Sequence, residues 1–238
     1  MTLDGTNTWV LLEPGSTDAV VVDPGPLVEH HLRAVLDHVD AIGARVALTV
    51  LTHRHHDHAE AAPRFAELTD SPVRAVGTGH DDLGDGDVLR VGGLEVRVVA
   101  TPGHTSDSVS FALPGDHALL TGDTVLGRGT TVVAHPDGEL AAYLESLDRI
   151  ARLTGDGSVT AILPGHGPVV PDAGAMVEFY RLHRAERLEQ VRQALADGAS
   201  AEDDPVEGVL RRVYADVPAS VWPAARLSIR AQLEYLAR

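Results

Sequence analysis

The segment Thr52-His53-Arg54-His55-His56-Asp57-His58 places four imidazoles and one carboxylate within six consecutive positions, directly after the apolar run 46–51. A cluster this dense is useful only where a strand delivers it to one edge of a sheet and other elements converge on it, so it constrains the fold more than any other stretch. If the chain is still extended on leaving the strand, His53 and His55 point the same way. Asp57 and His58 then lie past a bend toward a helix beginning near Ala59, and the two pairs can face two metal positions. A solvated polar loop at a strand end is the alternative reading. Imidazole mixed with carboxylate suits zinc or iron, whereas calcium and magnesium take oxygen shells.

The chain contains no cysteine, so disulfides and thiolate metal sites are excluded and every ligand must be His, Asp or Glu. Its 238 residues, 44% of them hydrophobic, suffice for one large domain or a medium one with a small appendage. The N-terminal residues lack a basic region and an apolar signal core, and no apolar run reaches the length of a membrane span; the expectation is a soluble, cytoplasmic protein. All 19 basic residues are Arg and the net charge is −16. The imbalance lies in the first part, with 10 Arg against 25 acids up to residue 174 and 9 against 10 beyond it. Such a body repels a polyanion at long range, although bound metal reverses the sign inside a cleft. RNA is possible as a partner but disfavoured by charge; a small molecule fits better.

Alternating and apolar runs predict strands over 8–13, 19–22, 73–76, 88–91, 94–100, 108–113, 118–120 and 159–163, and helical spacing predicts helices over 27–42, 59–68 and 139–153. Further ligand types follow three of these strands: His104 after Thr101-Pro102-Gly103, Asp123 after Gly122, and His166 after Pro164-Gly165. Each alone is weak, since an Asp after Gly is ordinarily a turn residue. Four strand ends presenting His53, His55, Asp57, His58, His104, Asp123 and His166 together are what a binuclear site at one sheet edge requires. Asp23, before Pro24-Gly25, reads equally as a buried hydrogen-bonding carboxylate or a turn residue and stays outside the ligand set. His30, His31 and His38 fall on a helix, and His56, His80, His117, His135 and His183 in loops or at element ends; these read as surface residues or supports. Beyond residue 172, three helices are expected over 173–197, 206–214 and 222–236, with a polar break at 198–204. The division is a domain over 1–172 and a helical appendage over 173–238.

The pattern H-x-H-x-D-H, met by His53, His55, Asp57 and His58, resembles the signature of the metallo-β-lactamase fold superfamily. Gly5-Thr6-Asn7-Thr8, T-P-G-H-T at 101–105, G-D-x-x-L-G-x-G-T-T at 122–131 and P-G-H-G-P-V at 164–169 extend the likeness along the chain and resemble the metallo-β-lactamase-like protein 2 family. That family includes a mitochondrial single-strand endoribonuclease, and fungal polyketide-releasing thioesterases look similar to it. The resemblance implies an α/β fold, a four-layer αββα sandwich, with a C-terminal winged-helix-like region. By position it implies that His53, His55 and His104 hold one zinc ion, that Asp57, His58 and His166 hold a second, and that Asp123 bridges them. Compared with the family, the strand before Gly5 is short or missing and residues 236–238 stop before the wing.

The activity implied is hydrolysis in which a metal-bound hydroxide, oriented or deprotonated with help from Asp57, attacks an ester or thioester of a small substrate. Asp123 and the lack of a signal core point away from a secreted β-lactamase. Two other readings stay open: a single-strand endoribonuclease, and a non-enzymatic nucleic-acid-binding protein with structural metal. The second is at odds with the donor set, because structural zinc is normally closed by four protein ligands. Among the tail cations, Arg181, Arg184, Arg187, Arg211 and Arg212 are interleaved with acids, which reads as an ordinary salt-bridged surface.

Overall fold

Strand β2 (Asp18–Val22) shows how the layers are assembled in a computed structural model of the protein, which describes residues 5–77, 79–199 and 204–238. Val20 and Val22 enter a cluster with Leu48, Val50, Val98 and Phe111, while Val21 joins Leu32, Val35 and Phe65 on the opposite side. This is the two-residue period of a strand, and it gives β2 a second sheet on one face and helices on the other. Strand β9 (Ala118–Gly122) repeats the pattern, with Leu120 turned to the inter-sheet cluster and Leu119 to the helices beyond.

The first sheet runs in order through β1 (Trp9–Leu11), β2, β3 (Arg45–Val50), β4 (Val73–Ala75) and the short β5 (Asp81–Asp82). Its pairs are parallel except for the opening β1–β2 hairpin. The second sheet takes the order β10 (Ala161–Pro164), β9, β8 (Val109–Leu113), β7 (Leu94–Ala100), β6 (Val88–Val91), antiparallel except for β9–β10. Helices α1 (Glu29–Ala41) and α3 (Ala62–Thr69) cover the first sheet, and α4 (Leu140–Gly155) and the first half of α5 (Ala173–Ala196) cover the second. The expected αββα sandwich is therefore the observed one. Gly103, with φ +129°, lets the loop after β7 lie directly on α4, where a Cβ would come within 2.3 Å of the Tyr143 Cα.

One expected element divides in two. The helix predicted over 59–68 is a single turn, α2 (His56–Ala59), followed by α3. Pro63 has no N–H and is accommodated only in a first turn, so its helix has to begin at Ala62. The turn before it closes separately, with the amides of His58 and Ala59 both donating to the His55 carbonyl at 2.9 Å. His56, Asp57 and His58 thus sit in helical geometry, not in a loop. β5 was not expected; two residues carry no periodicity to read.

In the tail, α5 starts at an Asp172 cap whose side chain accepts the Ala175 N–H at 2.9 Å. Its second half contributes Val191 and Ala194 to a separate small core with α6 (Pro205–Val213) and α7 (Trp222–Leu236). Residues 1–4 and, within the polar break expected at 198–204, residues 200–203 lie outside the described residues. Among the described residues no helix is long and apolar enough to cross a membrane.

Candidate metal centre

Backbone bonds draw four strand ends to one edge of the sandwich. The Thr52 carbonyl, just past β3, accepts the Val109 N–H of the other sheet at 2.9 Å; the Gly122 carbonyl accepts the Gly165 N–H at 2.8 Å, and the His166 carbonyl the Gly127 N–H at 2.9 Å. All seven residues singled out in the sequence meet there. The ligating atoms of His53, His55 and His104 lie within 4.8 Å of one another, and so do those of Asp57, His58 and His166. Asp123 stands between the two groups: Oδ1 is 3.3 Å from His58 Nε2, and Oδ2 is 3.6 Å from His104 Nε2 and 3.3 Å from His166 Nε2.

Hydrogen bonds at the back of each ring decide which nitrogen faces inward. His104 Nδ1 donates to the Val132 carbonyl and His166 Nδ1 to the Gly5 carbonyl, both at 2.8 Å; a carbonyl only accepts, so each Nε2 presents a lone pair. His58 Nδ1 donates to Asp23 Oδ2 at 2.8 Å. The Thr52 hydroxyl gives its own proton to Asp23 Oδ2 at 2.7 Å, which leaves its oxygen to accept His53 Nδ1–H at 3.0 Å. Four Nε2 lone pairs therefore converge, joined by His55 Nδ1, which is 3.0 Å from both His53 Nε2 and His104 Nε2. His58 Nε2 and His166 Nε2 face each other at 3.3 Å, a separation that needs a proton or another cation between them. Asp123 Oδ1 is buried and has no hydrogen-bond partner. This donor set, locked from behind and pointed at shared space, fits divalent metal.

Charge divides the centre. Burial, then the neighbouring His58, pushes His53 well below the usual histidine range, and burial likewise lowers His104. Burial also acts against the charged form of His58, but Asp23 and Asp123 outweigh it and raise the ring to about 10. At His166 burial is outweighed by Asp123 and Asp57, again giving about 10. Burial would raise Asp123, yet the His166 and His58 rings beside it hold it well below the carboxylate range. Positive charge is thus favoured beside Asp57, His58 and His166, where protons and a metal ion compete for the same lone pairs.

Asp23 is the support that the sequence left undecided. It is buried, adopts φ +51°, and accepts from the Thr52 N–H at 2.8 Å as well as from the Thr52 hydroxyl and His58 Nδ1. It orients two candidate ligands, His58 directly and His53 through Thr52, and belongs to none of the candidate metal groups. Asp23→Ala is expected to weaken metal binding by about 10–100-fold while the protein still folds; chelator competition measures this, and wild-type affinity would refute the role. Nothing local to Asp23-Pro24-Gly25 separates such a carboxylate from a turn residue; the signal is its distance from Thr52 and His58 in the fold. Of the other histidines, His31 Nε2 lies 2.9 Å from the Thr8 hydroxyl, and His30, His31 and His56 line a cavity beside Asp57. Arg54, inside the cradle, is turned away from it and pairs with Asp137.

Residues 76–166 match the metallo-beta-lactamase superfamily and residues 206–238 the beta-lactamase associated winged helix domain. The beta-lactamase-like protein 2 homolog of Caenorhabditis elegans is 32% identical over 248 residues, spanning all of this chain and 80% of that protein. An atrochrysone carboxyl ACP thioesterase of Aspergillus fumigatus is 33% identical over 240 residues, spanning 91% of this chain and 72% of that protein. Among solved structures, a beta-lactamase domain protein from Burkholderia ambifaria superposes with a TM-score of 0.81 at 24% identity, covering 100% of this chain and 83% of that one. TTHA1623, solved in a di-iron-bound form, superposes with a TM-score of 0.58 at 25% identity over 71% of this chain and 90% of that one. The chain belongs to the metallo-β-lactamase superfamily, and it is a hydrolase of a fold that implies divalent metal. Within that superfamily it falls in the beta-lactamase-like protein 2 family.

Proposed function

We propose that the chain is a binuclear zinc hydrolase of small esters or thioesters, cytoplasmic, with residues 1–172 as its catalytic domain and 173–238 as its winged-helix-like helical region. His53, His55 and His104 would hold one ion, Asp57, His58 and His166 the other, with Asp123 shared. Bound zinc supplies Lewis acidity and brings the pKa of a water from about 15.7 to near 7. The chain's own contribution is orientation and proton handling. Asp123 keeps the two ligand groups in register. Asp57 Oδ2 is 3.3 Å from the Thr6 hydroxyl and 3.4 Å from His166 Nε2, and the carboxylate also borders the cavity, so it is placed to orient the attacking water and to receive its proton.

The observation that carries the substrate reading is that cavity of about 650 Å³ beside Asp57, walled by Thr6, Pro26, Val28, His31 and His56. Its volume suits a small molecule. Among the described residues its wall includes no Arg. The cations that would track a phosphate chain are engaged elsewhere: Arg181 with Asp148 and Glu178, Arg187 with the Val213 carbonyl, and Arg184 inside the protein. The similarity to an ACP thioesterase points the same way.

The test compares kcat/KM for an acyl thioester and for an unstructured oligoribonucleotide, with His53→Ala as the control for contaminating activity. The thioester is expected to be the better substrate, and any RNA cleavage slow and suppressed by salt. Faster, His53-dependent RNA cleavage at moderate salt would replace this reading by the endoribonuclease one.

A further inference from the structure

The segment between Asp123 and the acceptors of His104 is gripped from two helices. The Tyr143 hydroxyl on α4 donates to the Thr124 carbonyl at 2.7 Å, and the Leu126 N–H donates to the Tyr180 hydroxyl on α5 at 2.8 Å. One turn further along α5, Arg184 Nη2 donates to the Thr131 carbonyl. Of the three grips, this last one reaches the residues behind the His104 ring. The Thr131 hydroxyl lies 3.2 Å from His104 Nδ1, and the next carbonyl, that of Val132, accepts the His104 Nδ1 proton at 2.8 Å.

Arg184 is an expensive residue to place here. Its side chain is 7% exposed, its guanidinium lies 4.9 Å from the Tyr143 ring centroid, and its Nε has no hydrogen-bond partner. Among the described residues no carboxylate pairs with it, and a buried cation without one destabilises a fold that a neutral side chain of equal volume would fill as well. Packing alone does not account for an arginine. Its planar fork and fixed charge do account for a firm hold on one carbonyl.

We propose that Arg184 is a positioning residue: through the Thr131–Val132 backbone it fixes the ring of His104, and so couples helix α5 to the metal ion held by His53, His55 and His104. The inference rests on the metal reading above. Ligating histidines depend on the acceptor behind the ring, and loss of that acceptor typically weakens metal binding by about 10–100-fold. Arg184 acts one step behind the acceptor, on the peptide that carries it.

The experiment measures zinc affinity by competition with a chromophoric chelator, and the visible spectrum of the cobalt-loaded full-length protein, for wild type, Arg184→Met, Arg184→Lys and Tyr180→Phe. Arg184→Met is expected to bind one of its two ions about tenfold more weakly or worse and to shift the cobalt bands. Arg184→Lys keeps a donor for the Thr131 carbonyl and recovers most of the affinity. Tyr180→Phe loses a bond to the same segment but not to Thr131, so it is expected to lower the melting temperature while leaving affinity and spectrum as in wild type. An Arg184→Met protein with wild-type affinity and spectrum overturns the inference and leaves Arg184 a packing residue. If that variant does not fold, Arg184→Gln is measured in its place, and wild-type values there overturn it equally. Wild-type protein that takes up no metal overturns the reading of the centre and this inference together.

Discussion

An Asp123→Ala protein is expected to lose metal and hydrolytic activity together, with kcat/KM down on the order of a thousandfold or more. Asp123 is the carboxylate that reaches into both ligand groups, 3.6 Å from His104 Nε2 on one side and 3.3 Å from His58 and His166 Nε2 on the other. With two ions in the centre it would also be the carboxylate that offsets their charge in a small volume, so its removal would leave them repelling each other. The effect belongs to the site and not to the core, because Asp123 follows β9 and takes no part in the apolar clusters. Metal analysis and thioester kinetics on the same preparation measure it. A variant that keeps two ions and most of its activity would remove Asp123 from the centre.

Gly165→Ala is the second large expected effect, and it strikes the same centre sterically. A Cβ at this position would lie 2.6 Å from Asp123 Oδ1, 2.8 Å from His58 Cε1 and 2.9 Å from the Gly122 carbonyl carbon. Two candidate ligand side chains and the β9 backbone would have to give way at once. Overpacking of this kind costs about 1–3 kcal/mol of stability, and a displacement of even ~1 Å at the reacting groups costs about a hundredfold in rate. Gly165→Ala is therefore expected to fold, melt at a lower temperature and lose most of its metal and activity. Wild-type metal content in the Ala variant would show that the loop after β10 yields without disturbing Asp123 and His58.

Both substitutions act at places the sequence displays openly. The cradle at 53–58 is legible because its ligands are dense and follow an apolar run, and His104, Asp123 and His166 are legible because each follows a strand and a glycine. The layer order is legible in β2, where Val20, Val21 and Val22 alternate between two cores. Other parts depend on contacts with no local trace. Asp23 in a Pro-Gly turn looks the same whether or not His58 lies behind it, 35 positions away. The groups that orient His104 and His166 are mostly backbone carbonyls, of Val132 and Gly5, which any side chain can accompany. Arg184 is masked by its context: on a helix carrying Arg181, Glu186, Arg187 and Glu189 it reads as one more surface charge, and only the packing of α5 on α4 shows that it points inward. The break between α2 and α3 was signalled by Pro63, whose restriction to a first turn outweighs the helical character of the residues around it.

The central claim is that the seven converging side chains form a two-ion centre, and counting ions per chain tests it most directly. Protein purified without added chelator and quantified by elemental analysis and amino-acid analysis is predicted to hold two transition-metal ions per chain, both zinc, with the count falling in His53→Ala and in His166→Ala. One ion at saturation would contradict it, and iron in place of zinc would overturn the choice of metal.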